Sequence, residues 1–249
     1  MTKLVINADD FGYSKGVNLG ILEAYKHGVV SSTTMMVNMP GAAHAAALAL
    51  AHPGLGVGIH LVLDCGYPIH PNVPSLVDET GRFYKMEEML KKAKLTDIEK
   101  ELNAQVEQFF KYGLSPTHLD GHHHVHGKEM VYPIVEKLAR NYKLPIRKVS
   151  ADDNHSSNQL LQTTQTFFYE FYGNTLTPTS LIDLVVKSTS YETAEIMCHP
   201  AFIDEEVLTG SSYNVQRARE LSILTHPDVK QMIEENHIEL VTYKDVIKW

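Results

Sequence analysis

The sequence predicts an α/β fold, specifically a distorted or incomplete (β/α) TIM-like barrel with about seven parallel strands. Short apolar runs bounded by turn residues alternate with helical patterns from end to end, which is typical of parallel sheets with right-handed crossovers. No linker, break in composition or internal repeat divides the chain. Because α/β barrels of this length often form one domain, we expect a single domain over residues 1–249. An open doubly wound sheet is the alternative.

The first third of the chain alternates strands and helices regularly. Residues 4–8 form an apolar run typical of a buried strand, and Ser14 can cap the following helix, which Gly28 ends. The next predicted elements are a strand over 32–39, an alanine-rich helix over 42–51 and a strand over 56–63. Residues 64–85 lack a clear period and predict a long loop, which in a compact domain usually has a function.

The remaining two thirds continue the same alternation. Thr96 to Glu99 matches a capping box, with apolar residues at helical spacing up to Gly113. Strands are then predicted over 117–120, 145–149, 195–198 and 238–243, and helices over 128–142, 181–186, 215–224 and 228–235. Residues 151–178 predict a second irregular segment. Burial tendencies favour a core or subunit contact over a ligand site for its aromatic cluster at 167–173.

Composition argues against several classes of function. The formal net charge is −8 with acidic and basic residues interspersed, which disfavours a nucleic-acid or anionic-membrane surface. Two cysteines, Cys65 and Cys198, do not make a disulfide framework. The first residues lack the pattern of a secretory signal, and no run approaches the ~18 apolar residues of a membrane span. We therefore expect a cytoplasmic protein.

Carboxylate and imidazole side chains follow four of the predicted strands. Asp9 and Asp10 come directly after the first strand, and His60 is near the end of the third. A histidine-rich segment, 118–126, surrounds the end of the fourth strand, and His199 follows the sixth. Because the carboxyl ends of parallel strands open onto one face, we expect these residues to converge on one cavity mouth.

Each of these residues also has an explanation without metal chemistry. An aspartate after a strand is a common helix cap or turn residue, and a histidine-rich tract can be a solvated loop. A single histidine in a strand, such as His60, is more often a core residue, and His199 could shape the turn at the following proline. Their joint placement at four strand ends favours a metal site.

Two imidazoles and one carboxylate are a sufficient protein ligand set for a catalytic divalent cation. Such a cation lowers the pKa of water and polarises a carbonyl oxygen. A second carboxylate nearby could accept the proton of that water, and an imidazole across the mouth could protonate the leaving group. Consecutive aspartates on a regular strand would point to opposite faces, a constraint that the turn at Phe11-Gly12 relaxes. The spacing leaves open which aspartate binds the cation.

Four motifs occur in matching order across nearly the whole chain. They are Asn7-Ala8-Asp9-Asp10-Phe11-Gly12, Gly58-Ile59-His60-Leu61, His118-Leu119-Asp120-Gly121-His122-His123-His124-Val125-His126 and Cys198-His199-Pro200-Ala201-Phe202. Together they closely resemble those of the YdjC-like carbohydrate deacetylases, which include the chitooligosaccharide and chitin-disaccharide deacetylases. The resemblance implies a distorted (β/α) barrel, hydrolysis of N-acetyl groups from acetylated sugars, a divalent cation usually assigned as magnesium, and a homodimer.

The resemblance also implies roles for individual residues. The metal ligands would be Asp10, His60 and His122. Asp9 would be the general base and His199 the general acid. These roles together describe a carbohydrate deacetylase, a hydrolase that releases acetate from an acetylated carbohydrate substrate.

The metal and the substrate stay open. A His-His-Asp ligand set suits zinc better than magnesium. Loops 64–95 and 151–178 are expected to line the mouth and select the substrate, for example short chitin-type oligosaccharides or their phosphorylated forms, but no substrate-binding residue is identified. His124 and His126 match the family motif without an assigned role. Alternative functions are a metal-dependent hydrolase of another bond, such as a phosphodiester, and a non-catalytic sugar or metal binder.

Overall fold

The computed structural model describes residues 1–149 and 163–246. The strands are β1 (Lys3–Phe11), β2 (Ser32–Met35), β3 (Gly56–Leu61), β4 (Leu119–Gly121), β5 (Thr166–Phe168), β6 (Thr193–Cys198) and β7 (Glu239–Leu240). The helices are α1 (Lys15–His27), α2 (Ala42–Ala51), α3 (Met86–Lys92), α4 (Leu95–Lys111), α5 (Tyr132–Tyr142), α6 (Pro178–Ser188), α7 (Glu205–Gly210), α8 (Val215–Leu224), α9 (Pro227–Glu235) and α10 (Tyr243–Val246). A 3₁₀ segment covers His122–Gly127. No helix in the described ranges is long and apolar enough to cross a membrane.

All paired strands are parallel and form one curled sheet with the order β4-β3-β2-β1-β6-β5, while β7 pairs with the first residues of β1. β1 is the central strand, and every residue of it after Lys3 is buried. Beyond β4, Ile146 forms a single bridge to Leu119. The α/β class and the parallel sheet predicted from the sequence are confirmed, with the sheet curled as a half-barrel.

Helix starts show where local sequence rules succeed and fail. The Ser14 side chain caps α1 by accepting a hydrogen bond from the Val17 N–H, as predicted. The predicted capping box at Thr96 is wrong, because α4 already begins at Leu95 and has no side-chain cap. Asp97 instead accepts hydrogen bonds from the backbone and hydroxyl of Ser75, so its carboxylate ties the 64–85 loop to the helix.

The strand predictions fail where a strand is very short, and where residues that favour strands form a turn instead. The predicted strand at 145–149 is wrong. Among the described residues, this segment pairs with the sheet only through one isolated bridge, between Ile146 and Leu119. β5 lies instead inside the predicted irregular segment 151–178, where three residues are too few to show a period. The predicted strand at 32–39 ends early, because the chain turns after Met36. Residues 151–162 of the second irregular segment lie outside the described residues.

Candidate functional site

The carboxyl end of β1 is irregular where it carries its two aspartates. Asp10 has a φ of 71°, in the left-handed region, and the pairing of β1 with β2 shifts register between Ala8 and Phe11. Asparagine and aspartate tolerate this conformation better than most residues, at a cost of about 1 kcal/mol or more. The irregularity lets Asp9 and Asp10 line the same cavity. The sequence predicted that a turn at Phe11-Gly12 would bring the two aspartates to one side. The irregular residue is Asp10, one position earlier.

Asp10, His60 and His122 form a candidate metal-binding group. One possible ligand atom from each lies within 4.8 Å of the others. Oδ1 of Asp10 is 3.0 Å from Nδ1 of His122 and 3.4 Å from Nε2 of His60. The two imidazole rings meet edge to face, with their centroids 5.6 Å apart. The fold therefore brings together the two imidazoles and the carboxylate that the motifs indicated, and they could hold a divalent cation.

Asp120 fixes the orientation of the His60 ring. Its Oδ1 lies 2.8 Å from Nδ1 of His60, and the Thr34 hydroxyl donates a 3.0 Å hydrogen bond to its other oxygen. Nε2 of His60 is thereby left facing Asp10. A carboxylate behind an imidazole is the usual outer partner of a metal-binding histidine, so these residues fit a metal ion. Burial disfavours the imidazolium, but Asp120 and Asp10 raise the pKa of His60 to about 10.

Two other groups of residues satisfy the same distance criterion, and both fit a cation less well. In the group of Asp9, His60 and Asp120, both carboxylates already bind a guanidinium. In the group of Asp64, His122 and His123, the His123 side chain is 61% exposed and is hydrogen-bonded to Asp64 at 2.6 Å. The buried group around Asp10 is the best candidate, because it has two imidazoles and because Oδ1 of Asp10 carries no guanidinium contact in the part of the chain that the structure describes.

Arg147 is the guanidinium around which the buried carboxylates are arranged. It donates two 2.7 Å hydrogen bonds to Asp9 and lies 2.8 Å from an oxygen of Asp120 and of Glu195. Burial would raise the pKa of Asp9, but Arg147 outweighs it and lowers that pKa below its ordinary value. The sequence interpretation assigned no role to Arg147. The available signal was a cationic residue inside the predicted strand at 145–149, where a lysine follows it.

Arg217, from α8, binds the other oxygen of Asp10 at 2.6 Å. Its Nε donates to the carbonyl oxygen of Tyr213 at 2.7 Å, which anchors the start of α8 to the cavity. Burial of Asp10 opposes its ionisation, but Arg217 and His122 hold the pKa of Asp10 well below its usual range. The sequence interpretation also missed Arg217, since a surface helix with an arginine carries no signal of a buried contact.

His199 follows β6 and lines the same cavity as Asp9. Its backbone N–H donates to Glu220, and its ring lies edge-on to Tyr172 and Tyr213, with centroid distances of 5.5 Å and 5.8 Å. Nδ1 of His199 has no hydrogen-bond partner within 1–149 and 163–246. Burial lowers the pKa of His199 to about 4, so the ring is neutral at neutral pH.

The other histidines of the 118–126 segment divide between cavity and core. His123 and His124 line the cavity, and both have left-handed backbone angles, with φ of 49° and 55°. His118 and His126 are fully buried, and burial lowers the pKa of each to about 3. The His118 ring stacks on Tyr243 at 3.8 Å, so this histidine is a neutral core residue.

A cavity of about 500 Å³ opens onto these groups. The loops expected to line it do so: Cys65 and Lys85 come from the first, Tyr169 and Tyr172 from the second. A core position for the aromatic cluster is confirmed for its buried phenylalanines, whereas these two tyrosines are half-exposed; a subunit contact stays a prediction. The segment 210–213, which the sequence did not indicate, also lines the cavity.

Known proteins resemble this chain over its whole length. A family model described as YdjC-like protein matches residues 3–235. A carbohydrate deacetylase of Geobacillus stearothermophilus is 52% identical, with 98% of each chain covered, and a chitooligosaccharide deacetylase of Serratia marcescens is 42% identical with the same coverage. A crystal structure from Enterococcus faecalis V583, described as a candidate cellobiose-phosphate cleavage protein, matches with a TM-score of 0.93 at 38% identity, covering 99% of both chains.

Proposed function

Because the chain belongs to the YdjC-like family, as its motifs indicated, we propose that it is a metal-dependent carbohydrate deacetylase. The reaction is hydrolysis of an N-acetyl group on an amino sugar, with release of acetate. Curated relatives at 42% to 52% identity carry the names of carbohydrate and chitooligosaccharide deacetylases. Full-length similarity at this level supports an enzyme of the same class rather than a non-catalytic binder.

One observation carries the proposal most directly. The group of Asp10, His60 and His122 lines a cavity together with Asp9 and His199, neither of which a simple metal-binding site would need. The cavity volume of about 500 Å³ lies within the range of small-molecule sites, ~300–1,000 Å³. This arrangement supports Asp10, His60 and His122 as ligands, with Asp9 and His199 in acid–base roles.

In the proposed mechanism, Asp9 accepts a proton from the attacking water. Arg147 keeps this carboxylate ionised and fixes both of its oxygens, so the base is in position before substrate arrives. His199, neutral at rest, receives the proton that Asp9 has taken from water, relayed through solvent, and donates it to the departing amine as the C–N bond breaks. Its low pKa makes the protonated ring a strong donor. A bound divalent cation would supply Lewis acidity toward water and the acetamide carbonyl.

We expect the purified protein to release acetate from N-acetylated amino sugars and to lose this activity on treatment with a chelator. Re-addition of single metals should restore it, and comparing magnesium with zinc identifies the effective ion. The measurement is enzymatic detection of acetate over a panel of acetylated sugars, with phosphate diesters as the rival substrates. Cleavage of the diesters without acetate release would overturn the deacetylase assignment.

Replacing His60 with alanine should abolish stoichiometric metal binding as well as activity, because the group loses one of its two imidazoles. Removal of even an outer partner of such a site costs about 10- to 100-fold in metal affinity, and loss of a ligand should cost more. Metal content per chain after dialysis, by mass spectrometry, is the readout. His27→Ala, an exposed histidine on α1, is the control. Full metal occupancy in His60→Ala would remove His60 from the ligand set.

The finer features that the family resemblance implies are part of the same proposal. They are a chitin-type oligosaccharide as substrate, magnesium or, from the ligand chemistry, zinc as the metal, and a homodimer. We also propose that the curled sheet is a TIM-like barrel. A cytoplasmic location is part of the proposal as well, and the free thiols of Cys65 and Cys198 support it.

A further inference from the structure

Two half-exposed tyrosines stand at the mouth of the cavity. Tyr169 and Tyr172 follow β5, line the cavity and are each 51% exposed, whereas the intervening Phe171 is fully buried. Leaving two aromatic rings in water forgoes the favourable burial of a large apolar surface. Neighbouring aromatic rings left exposed beside a cavity of this size are a common contact for a ligand.

Tyr172 is held in a defined position. Its ring stacks on that of Tyr213, with centroids 3.9 Å apart and planes at 13°. The Tyr213 hydroxyl donates to the buried Glu220 at 2.5 Å and accepts a 3.0 Å hydrogen bond from the Gly173 N–H. Tyr213 is thus fixed to α8 and also to the residue after Tyr172, so the exposed ring has a rigid support.

This supported ring is close to the proposed chemistry without taking part in it. The Tyr172 centroid is 5.5 Å from that of His199, and no hydrogen bond joins the two side chains within the described ranges. The Tyr172 hydroxyl lies outside the candidate metal group and outside the Arg147 network. A flat, apolar and fixed surface beside a proton-transfer residue is suited to positioning a ring.

Pyranose rings present such a complementary surface. Their hydroxyl groups lie around the edge, while the axial C–H groups make the faces of the ring apolar. Stacking a face on an aromatic ring buries apolar area from both partners and leaves the hydroxyls free for polar groups. Lys85, Ser211 and Ser212 line the same cavity and could bond such an edge.

We propose that Tyr172, supported by Tyr213, is the stacking surface for a sugar ring adjacent to the one that is deacetylated. It would give the enzyme its preference for linked amino sugars over a single one. The proposal rests on the deacetylase function and names a specificity-determining residue within it.

The first test compares turnover of an acetylated chitin-type disaccharide with that of N-acetylglucosamine. In Tyr172→Ala, the ratio of kcat/KM for the disaccharide to that for the monosaccharide should fall about tenfold, mainly through KM. Tyr172→Phe keeps the ring and should keep the ratio. Tyr142→Ala, which removes a partly exposed tyrosine from α5, is the matched control. Equal losses on both sugars, or no loss, would overturn the proposal.

The second test separates this proposal from the proposed function. Calorimetric titration of metal-loaded Asp9→Asn with the disaccharide measures binding without turnover. Adding Tyr172→Ala should weaken that binding about tenfold, and adding Tyr172→Phe should not. Unchanged affinity would refute the stacking surface even if acetate is released normally. Failure of wild-type protein to release acetate, with Tyr172-dependent binding intact, would refute the deacetylase and leave a sugar-binding surface.

Discussion

Asp9→Asn is expected to lose most of its turnover while keeping its metal. Asparagine preserves the shape of the side chain and keeps one oxygen to accept hydrogen bonds from Asn7 and Arg147. Its amide nitrogen cannot accept the second hydrogen bond from Arg147, and the side chain cannot accept a proton. General-base catalysis by a positioned side chain typically contributes about 10²- to 10⁴-fold, which is the loss in kcat that we expect. Because Asp10, His60 and His122 are unchanged, metal content per chain should stay at the wild-type level.

The comparison that makes this result interpretable is Asp228→Asn, an exposed aspartate on α9. It removes one negative charge without touching the cavity, so its kcat should match that of the wild type. Full acetate release by Asp9→Asn would exclude Asp9 as the base. Loss of metal together with turnover would instead make Asp9 a ligand, which would reverse the roles of the two aspartates.

Arg147→Leu is expected to destabilise the fold by about 3–5 kcal/mol, the usual cost of removing one partner from a buried ionic network. Asp9, Asp120 and Glu195 would each lose their contact with the buried guanidinium. Urea unfolding of the metal-free protein at neutral pH measures the difference in the free energy of unfolding. Arg140→Leu removes a partly exposed arginine paired with Glu136 one helical turn away, and should cost no more than about 0.5 kcal/mol.

The pH dependence of the Arg147→Leu deficit provides an independent readout. In the wild type, the lowered pKa values of Asp9 and Asp120 mean that stability is lost as pH falls through those folded-state values. In the variant, burial without the guanidinium raises the carboxylate pKa values, so the folded state binds more protons and gains stability as pH falls. The difference in the free energy of unfolding between the wild type and Arg147→Leu should therefore become smaller at acidic pH. A deficit below about 1 kcal/mol at neutral pH would show that the network tolerates the loss.

The convergence of distant motifs was predictable because parallel strands share one functional edge. Asp10, His60 and His122 each follow or end a strand, and the sheet order puts β1, β3 and β4 on a continuous surface. Their assignment as ligands stays a prediction until metal is measured. The spacing left the choice between Asp9 and Asp10 open, because a left-handed residue inside a strand leaves no mark in the spacing. The family resemblance made that choice.

The two arginines that neutralise the buried carboxylates could not be predicted from strand ends in the same way. Arg147 lies beyond β4, in a segment with one bridge to the sheet, and reaches carboxylates on three different strands. Arg217 reaches Asp10 from a helix in which polar and apolar residues are equally frequent. Pairing between buried charges depends on three-dimensional distance, whereas periodicity and turn signals report only the local backbone. The short strand β5 was not predicted for a related reason. Its three residues form a strand because they pair with β6, a contact that the local sequence does not reveal.

The pairing of Asp10 with Arg217 has a consequence for how the protein forms during translation. These two residues are 207 positions apart in the sequence. β1 pairs on one side with β2, which is synthesised soon after it, and on the other side with β6, which is synthesised much later. A ribosome-bound chain holding only the amino-terminal half has Asp10 but not its arginine. Contacts of such long range make folding slow. The centre is therefore assembled late, when most of the polypeptide has emerged. A chain that ends after its amino-terminal half would contain four of the five proposed active-site residues, lacking His199, and would also lack Arg217.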